Sequence, residues 1–220
     1  MLNRYYEADN CKKDIETFCN MVCGDRRIQK SKIAYVAKNV LFLKKFFYFY
    51  VDNNQTHYYS CLISDMLLLV HSLSQNSIRI YYVTFRSLIE NLIRVLLKYD
   101  DMNATGVRNM FAEFAANSCK EYYSYLEGEY GKCCNVVHSN ANFTLPMYSF
   151  YEELLLADEV SDKIIDVFCD SMMTFYKKLK DFLINNNPDD IWAAFRNNNE
   201  VLYTLVGQRD YERLEGKIEK

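Results

Sequence analysis

The fold is decided by residues 77–99, which read SIRIYYVTFRSLIENLIRVLLKY. At 100° per residue, four charged side chains fall in a stripe about 80° wide on a helix that is otherwise apolar nearly all round. These four are Arg79, Arg86, Glu90 and Arg94. Such a helix is expected inside a protein, where charges are costly unless they are paired or hydrogen-bonded. The stripe is therefore either an internal salt-bridge ladder or the wall of a polar site.

Composition favours an all-α fold. The 220 residues are 50% hydrophobic and include only six glycines and two prolines, which leaves few places for tight turns, and the apolar pattern is helical almost throughout. No stretch resembles a linker, so we expect one domain, residues 1–220, forming a bundle of about seven to eight helices. Its core is predicted at about residues 57–186. Helices within 10–51 and short helices within 188–206 pack on that core, and the charged end at 208–220 is expected to fray.

Charge and cysteine usage narrow the function classes. The net charge of −3 provides no general attraction to nucleic acid, so any RNA contact needs a local basic patch. The eight cysteines are dispersed and no secretory signal is apparent, so we expect free thiols, a cytoplasmic protein and neither a metal site nor a cofactor. Apolar stretches at 33–51 and 58–73 are interrupted by charged residues, which argues against a membrane span.

Two further features concern possible binding surfaces. The aromatic run at 46–50 is expected in the core or at a dimer interface, because only two lysines accompany it and base-stacking platforms are usually interleaved with basic groups. Gly128 and Gly131 predict a bend between two short helices. His138 then lies at or near a helix end, just before a polar loop at 140–146. A histidine in such a place is more often a capping or packing residue than a catalytic base.

Two segments taken together resemble a known family. The helix Phe85-Arg86-Ser87-Leu88-Ile89-Glu90 is followed by Glu129-Tyr130-Gly131-Lys132-Cys133-Cys134-Asn135-Val136-Val137-His138-Ser139. An Arg-x-x-x-Glu helix followed by a Tyr eight residues before the His of a Val-His pair is similar to a defence-associated branch of the HEPN superfamily. Its members are small helical bundles of prokaryotic abortive-infection, toxin–antitoxin and CRISPR-linked systems. The resemblance covers about residues 78–140.

The resemblance implies metal-independent RNA cleavage. A general base removes the proton of a ribose 2′-hydroxyl, which attacks the neighbouring phosphate while cationic groups stabilise the phosphate oxygens. It assigns His138 as base or acid, Arg86 as the phosphate ligand and Glu90 as the residue that orients Arg86. Arg79, Lys132 and Asn135 become substrate-binding candidates. It further implies a homodimer, in which two copies of the motif face one RNA.

The chain departs from the family pattern at one important place. The arginine that usually stands four to six residues before the histidine is absent, and Lys132 stands six residues before His138. Lysine supplies charge without the planar fork that binds two phosphate oxygens at once. Either Arg86 or Arg79 replaces that arginine from the neighbouring helix, or the chain is a catalytically silent relative. The second reading predicts a helical protein-interaction module, such as an antitoxin, sensor or scaffold subunit of a defence system.

Overall fold

The computed structural model describes residues 2–24, 28–75, 77–138, 146–157 and 160–218, and its regular elements over these ranges are all helices. The all-α prediction is therefore confirmed. The described residues form eleven helices instead of the seven to eight predicted. They are α1 (Leu2–Cys23), α2 (Lys30–Tyr50), α3 (Thr56–Ser72), α4 (Ile78–Leu96), α5 (Val107–Asn117), α6 (Lys120–Val137), α7 (Met147–Ala157), α8 (Asp162–Asn186), α9 (Pro188–Ala194), α10 (Asn199–Val206) and α11 (Gln208–Ile218).

The differences in helix count and bounds arise mainly at the ends of the chain and around α7. Helix α1 begins at Leu2, well before the predicted start at residue 10, and α7 was not predicted at all. The predicted fraying of the C-terminal segment is wrong for residues 208–218, which form α11. Arg213 of α11 donates to Asp181 of α8 at 2.6 Å, and Leu214 is fully buried. Tertiary contacts of this kind stabilise a short charged helix that local propensity alone would leave marginal. The predicted polar loop at 140–146 lies outside the described residues except for residue 146.

The chain divides into two compact units. One contains residues 1–52 and 166–220, and the other contains residues 53–165, so the division falls in the first turn of α8. In the first unit, Phe42 stacks on Phe46 and on Phe195, and all three are buried. Within the aromatic run at 46–50, Tyr48 and Phe49 are exposed. The prediction of one domain stays a prediction, because it concerns cooperative folding and not compactness alone.

The second unit is organised around α4, which packs on α3 and on α6. Helix α4 begins at Ser77, whose hydroxyl accepts a hydrogen bond from the Ile80 backbone N–H at 3.1 Å. Ser87 near the middle of α4 donates to Asp65 of α3, and Lys98, just after α4, accepts from Gln55, just before α3. Later residues of α4 thus meet earlier residues of α3, so the two helices are antiparallel.

Two predictions about these helices need correction. Helix α4 is not enclosed on all sides, since Ile80 and Val83 are exposed and the charged stripe is partly accessible to solvent. Helix α6 does not bend at Gly128 or Gly131 but runs unbroken over 18 residues. Glycine inside a helix costs about 1 kcal/mol relative to alanine, which weakens a helix without ending it. The continuity of α6 matters because it sets where His138 lies relative to Tyr130.

No helix in the described parts of the chain is long and apolar enough to cross a membrane.

Candidate functional site

The candidate site lies entirely in the second unit, between α4 and α6. Arg79 of α4 lies beside Val137 at the end of α6, whereas Arg86, two turns further along α4, lies beside Tyr130. The two helices are therefore antiparallel. This register brings the middle of α4 against the last two turns of α6, and it sets the charged stripe of α4 beside the residue that ends α6, His138.

Four side chains form one hydrogen-bonded network. The Arg86 Nε–H donates to Glu90 Oε1 at 3.1 Å and to the Tyr130 hydroxyl at 3.1 Å. The Tyr130 hydroxyl in turn donates to the same Glu90 oxygen at 2.8 Å. On the far side of the guanidinium, Arg86 Nη1 lies 3.4 Å from His138 Nε2. The sequence-predicted residues Arg86, Glu90 and His138 are thus brought together, and Tyr130 bonds to the first two.

His138 ends α6 as its C-terminal cap and its side chain is exposed. Its backbone N–H donates to the Cys134 carbonyl at 2.9 Å, so the last helical turn holds the residue in place. A guanidinium can only donate, so a hydrogen bond from Arg86 needs Nε2 as its acceptor. The end of α6 thus places an imidazole nitrogen beside the Arg86 guanidinium.

The network keeps Arg86 charged in a partly enclosed position. The Arg86 and Glu90 side chains are 30% and 23% exposed. Burial alone would lower the pKa of Arg86, but its hydrogen bonds to Tyr130 and Glu90 outweigh burial and raise it. Burial and the hydrogen bond to the Glu90 carboxylate raise the pKa of Tyr130, so this phenol stays protonated. A fixed cation beside an exposed imidazole can hold an anion such as a phosphate next to an acid–base group.

Arg79 meets the same end of α6 in a different way. It donates to the Val137 carbonyl at 2.6 Å, one residue before His138. The last carbonyls of a helix have no partner within the helix, and a cation there also interacts favourably with the helix dipole. Arg79 therefore fixes the backbone that carries His138. Its predicted contact with substrate stays a prediction.

Lys132 and Asn135 do not join the network. Lys132 pairs with Glu129 of its own helix at 2.7 Å, and its side chain is 65% exposed. At 100° per residue, Lys132 lies about 160° around α6 from Tyr130, which places it on the opposite face of the helix. The Asn135 side chain is exposed and makes no hydrogen bond with a described residue. Their predicted roles in substrate binding stay predictions.

The charged stripe of α4 is not a continuous salt-bridge ladder. Arg94, four residues after Glu90, donates instead to the Thr105 carbonyl at 3.2 Å and lies over the Tyr58 ring. The stripe was expected to be either a salt-bridge ladder or the wall of a polar site. Arg86 and Glu90 agree with a polar site, whereas Arg94 has a structural packing role.

Two features were missed from the sequence. Tyr130 was noted only as a family marker, although its position eight residues before His138 places both on one side of a helix. The second is Asp65 of α3, one of the charged residues that interrupt the apolar stretch at 58–73; its Oδ2 accepts from Ser87 and from Asn91, each at 2.8 Å. Burial raises the pKa of Asp65 despite these two hydrogen bonds. The i,i+4 spacing of Ser87 and Asn91 was the available signal.

Over the parts of the chain that the structure describes, no group of three or more His, Cys, Asp or Glu side chains is arranged to hold a metal ion. Comparison with known proteins adds no assignment: no family model, no curated protein and no solved structure matches the chain.

Proposed function

We propose that the chain is a HEPN-like, metal-independent endoribonuclease or RNA-binding effector of a bacterial defence or toxin system. One observation carries the proposal: Arg86 Nη1 and His138 Nε2, 52 residues apart in sequence, lie 3.4 Å apart at an accessible helix end. The resemblance assigns these two residues to one site, and their proximity supports that assignment.

The proposed reaction needs a base, a cation and a proton donor. When the phosphate takes up the Nη1 donor of Arg86, His138 Nε2 is released and takes the proton of a ribose 2′-hydroxyl, and that oxygen attacks the adjacent phosphorus. The bond from phosphorus to the 5′-oxygen breaks, the 5′-oxygen takes the proton that His138 has gained, and a 2′,3′-cyclic phosphate is left. Arg86 binds the phosphate oxygens through its Nη groups while Glu90 holds its Nε side.

The remaining assignments belong to the same proposal. Lys132 and Asn135 are placed along the RNA backbone on the exposed faces of α6, and Arg79 adds a phosphate contact at its end. The resemblance further supports a cytoplasmic homodimer that works with a protein partner of its defence system.

The proposal is tested by incubating total and transfer RNA with purified wild-type protein in the presence of EDTA. We expect cleavage that leaves 2′,3′-cyclic phosphate ends and is lost in His138→Ala. His57→Ala is the matched control: His57 is also exposed, but its ring contacts Cys61 and Tyr58 of its own helix, α3, away from the network of Arg86. Absence of cleavage by the wild type on all substrates, or equal cleavage by His138→Ala, would reject the proposed site.

A second candidate function is favoured by α7. Four of its large apolar side chains are between 56% and 86% exposed: Met147, Tyr148, Tyr151 and Leu155. Exposed apolar clusters are typical of protein-binding surfaces, so the chain is alternatively a catalytically silent interaction module such as an antitoxin, sensor or scaffold subunit. Expression in a bacterial host separates the two. A ribonuclease arrests growth unless His138 is replaced, whereas an interaction module is harmless in both forms.

A further inference from the structure

Tyr130 is the residue that joins the two halves of the candidate site. Its hydroxyl both accepts from Arg86 Nε at 3.1 Å and donates to Glu90 Oε1 at 2.8 Å. Its ring lies beneath the guanidinium, with the Arg86 Cζ atom 5.3 Å from the ring centroid. Tyr130 thus contacts Arg86 in two ways: its hydroxyl bonds to Nε, and its ring packs against the flat face of the guanidinium.

The Arg86–Glu90 pair alone would not fix the guanidinium. Two side chains four residues apart on one helix form a weak and flexible pair, and either can turn along the helix surface. Tyr130 belongs to a second helix, α6. Its contacts with Arg86 therefore restrict side-chain torsions of Arg86 that the hydrogen bond to Glu90 does not restrict. The Nη1 group then stays beside His138.

Tyr130 is itself held in place by a contact with a third helix, α5. Its ring lies 4.9 Å from the Phe111 ring of α5, and Phe111 is nearly buried. Aromatic pairs at this distance have a preferred geometry and restrict each other's rotation. The hydroxyl is therefore presented to Arg86 by a ring that α5 and α6 fix together.

We infer that Tyr130 is the positioning residue of the site, which aims the Nη groups of Arg86 at a phosphate beside His138. This inference rests on the proposed function for the identity of the ligand. The positioning of Arg86 is a property of the protein alone and can be measured without RNA.

The test compares Tyr130→Phe with Tyr123→Phe. Phenylalanine keeps the ring and its contact with Phe111, so the fold is retained while the hydroxyl is removed. Tyr123 is a matched control on the same helix, because its hydroxyl also donates to a glutamate, Glu127 at 2.6 Å, without contacting Arg86.

The first readout is kinetic. We expect Tyr130→Phe to lower kcat for RNA cleavage by about tenfold or more and to change KM by less than about twofold, because the cation remains but is misaligned in the transition state. Tyr123→Phe should match the wild type. An unchanged kcat in Tyr130→Phe, or an equal loss in both variants, would overturn the inference.

The second readout is the nuclear magnetic resonance signal of the Arg86 Nε–H, assigned by its disappearance in Arg86→Lys. We expect slow hydrogen exchange of this group in the wild type and in Tyr123→Phe, and fast exchange in Tyr130→Phe. If the wild type cleaves no RNA, the proposed function fails and this signal alone decides the role of Tyr130. Slow exchange in Tyr130→Phe would then refute it.

Discussion

At the scale of single residues, Asp210 of the first unit forms ion pairs with two basic side chains. Its carboxylate lies 2.7 Å from Lys180 Nζ and 2.9 Å from Arg213 Nη1, and Lys180 is only 6% exposed. Burial would raise the pKa of Asp210, but its bonds to Lys180 and Arg213 outweigh burial and lower it. Asp210 therefore stabilises the fold in its ionised form.

This gives a pH-dependent prediction for Asp210→Asn. A lowered carboxyl pKa contributes stability that is present above the unfolded-state value of about 3.9 and is lost as the pH falls through the folded-state value. We expect the variant to lose on the order of 2 kcal/mol or more of unfolding free energy at pH 7, because Lys180 is left buried without its carboxylate. Urea unfolding at about pH 7 and pH 3 measures the difference, which should shrink at the lower pH.

Asp9→Asn is the control for this experiment. Asp9 pairs with Lys12 at 3.4 Å, but both side chains are more than 60% exposed. Exposed pairs of this kind contribute little, so its unfolding free energy should match that of the wild type at both pH values. A loss in Asp210→Asn that is equally large at both pH values would show that packing, and not the ion pairs, accounts for it.

At the scale of elements, the continuity of α6 leads to a prediction about its glycines. Gly128 is exposed inside the helix, and a Cβ atom built on it meets nothing within 4 Å. Alanine fits without strain and restricts the unfolded chain, so Gly128→Ala should raise the unfolding free energy by about 0.5–1 kcal/mol. Denaturant unfolding measures this gain, and a destabilised variant would mean that α6 bends at Gly128 after all.

Gly207→Ala provides the opposite case. Its site is equally open, but its φ is +82°, in the left-handed region that residues with a Cβ rarely adopt. This variant should therefore be less stable than the wild type. The two substitutions have the same chemistry and open surroundings, so opposite signs isolate backbone conformation as the cause.

The same elements show which parts of the site could be predicted from the sequence. The Arg86–Glu90 contact was predictable because i,i+4 spacing on one helix determines it. The contact of Arg86 with Tyr130 and the contact of Arg79 with Val137 depend on the register between α4 and α6. No local sequence pattern predicts that register. In the same way α4 was predicted from its period, whereas α11 was missed because contacts with α8 stabilise it.

At the scale of the whole molecule, the net charge of −3 limits how RNA can be bound. A protein without a general positive field must rely on the few cations at the site, and each phosphate neutralised on a single strand contributes about −0.7 to the slope of log affinity against log salt. Contacts from Arg79, Arg86 and Lys132 would together give a slope of about −2. Fluorescence anisotropy of a labelled single-stranded RNA with His138→Ala, which cannot cleave it, measures this slope.

Arg79→Ala, introduced into the same non-cleaving background, then tests the slope residue by residue. Arg79 donates to the Val137 carbonyl and is exposed, so its positive charge is accessible to a phosphate. We expect its removal to reduce the slope by about 0.7, and removal of Arg209, an exposed arginine of α11, to leave it unchanged.

A slope much steeper than −2, or one that Arg209→Ala reduces as much as Arg79→Ala, would place the RNA on a broader surface than the α4–α6 site. Absence of binding at low salt would instead favour the protein-interaction module, in which the Arg86 network serves only to hold α4 against α6.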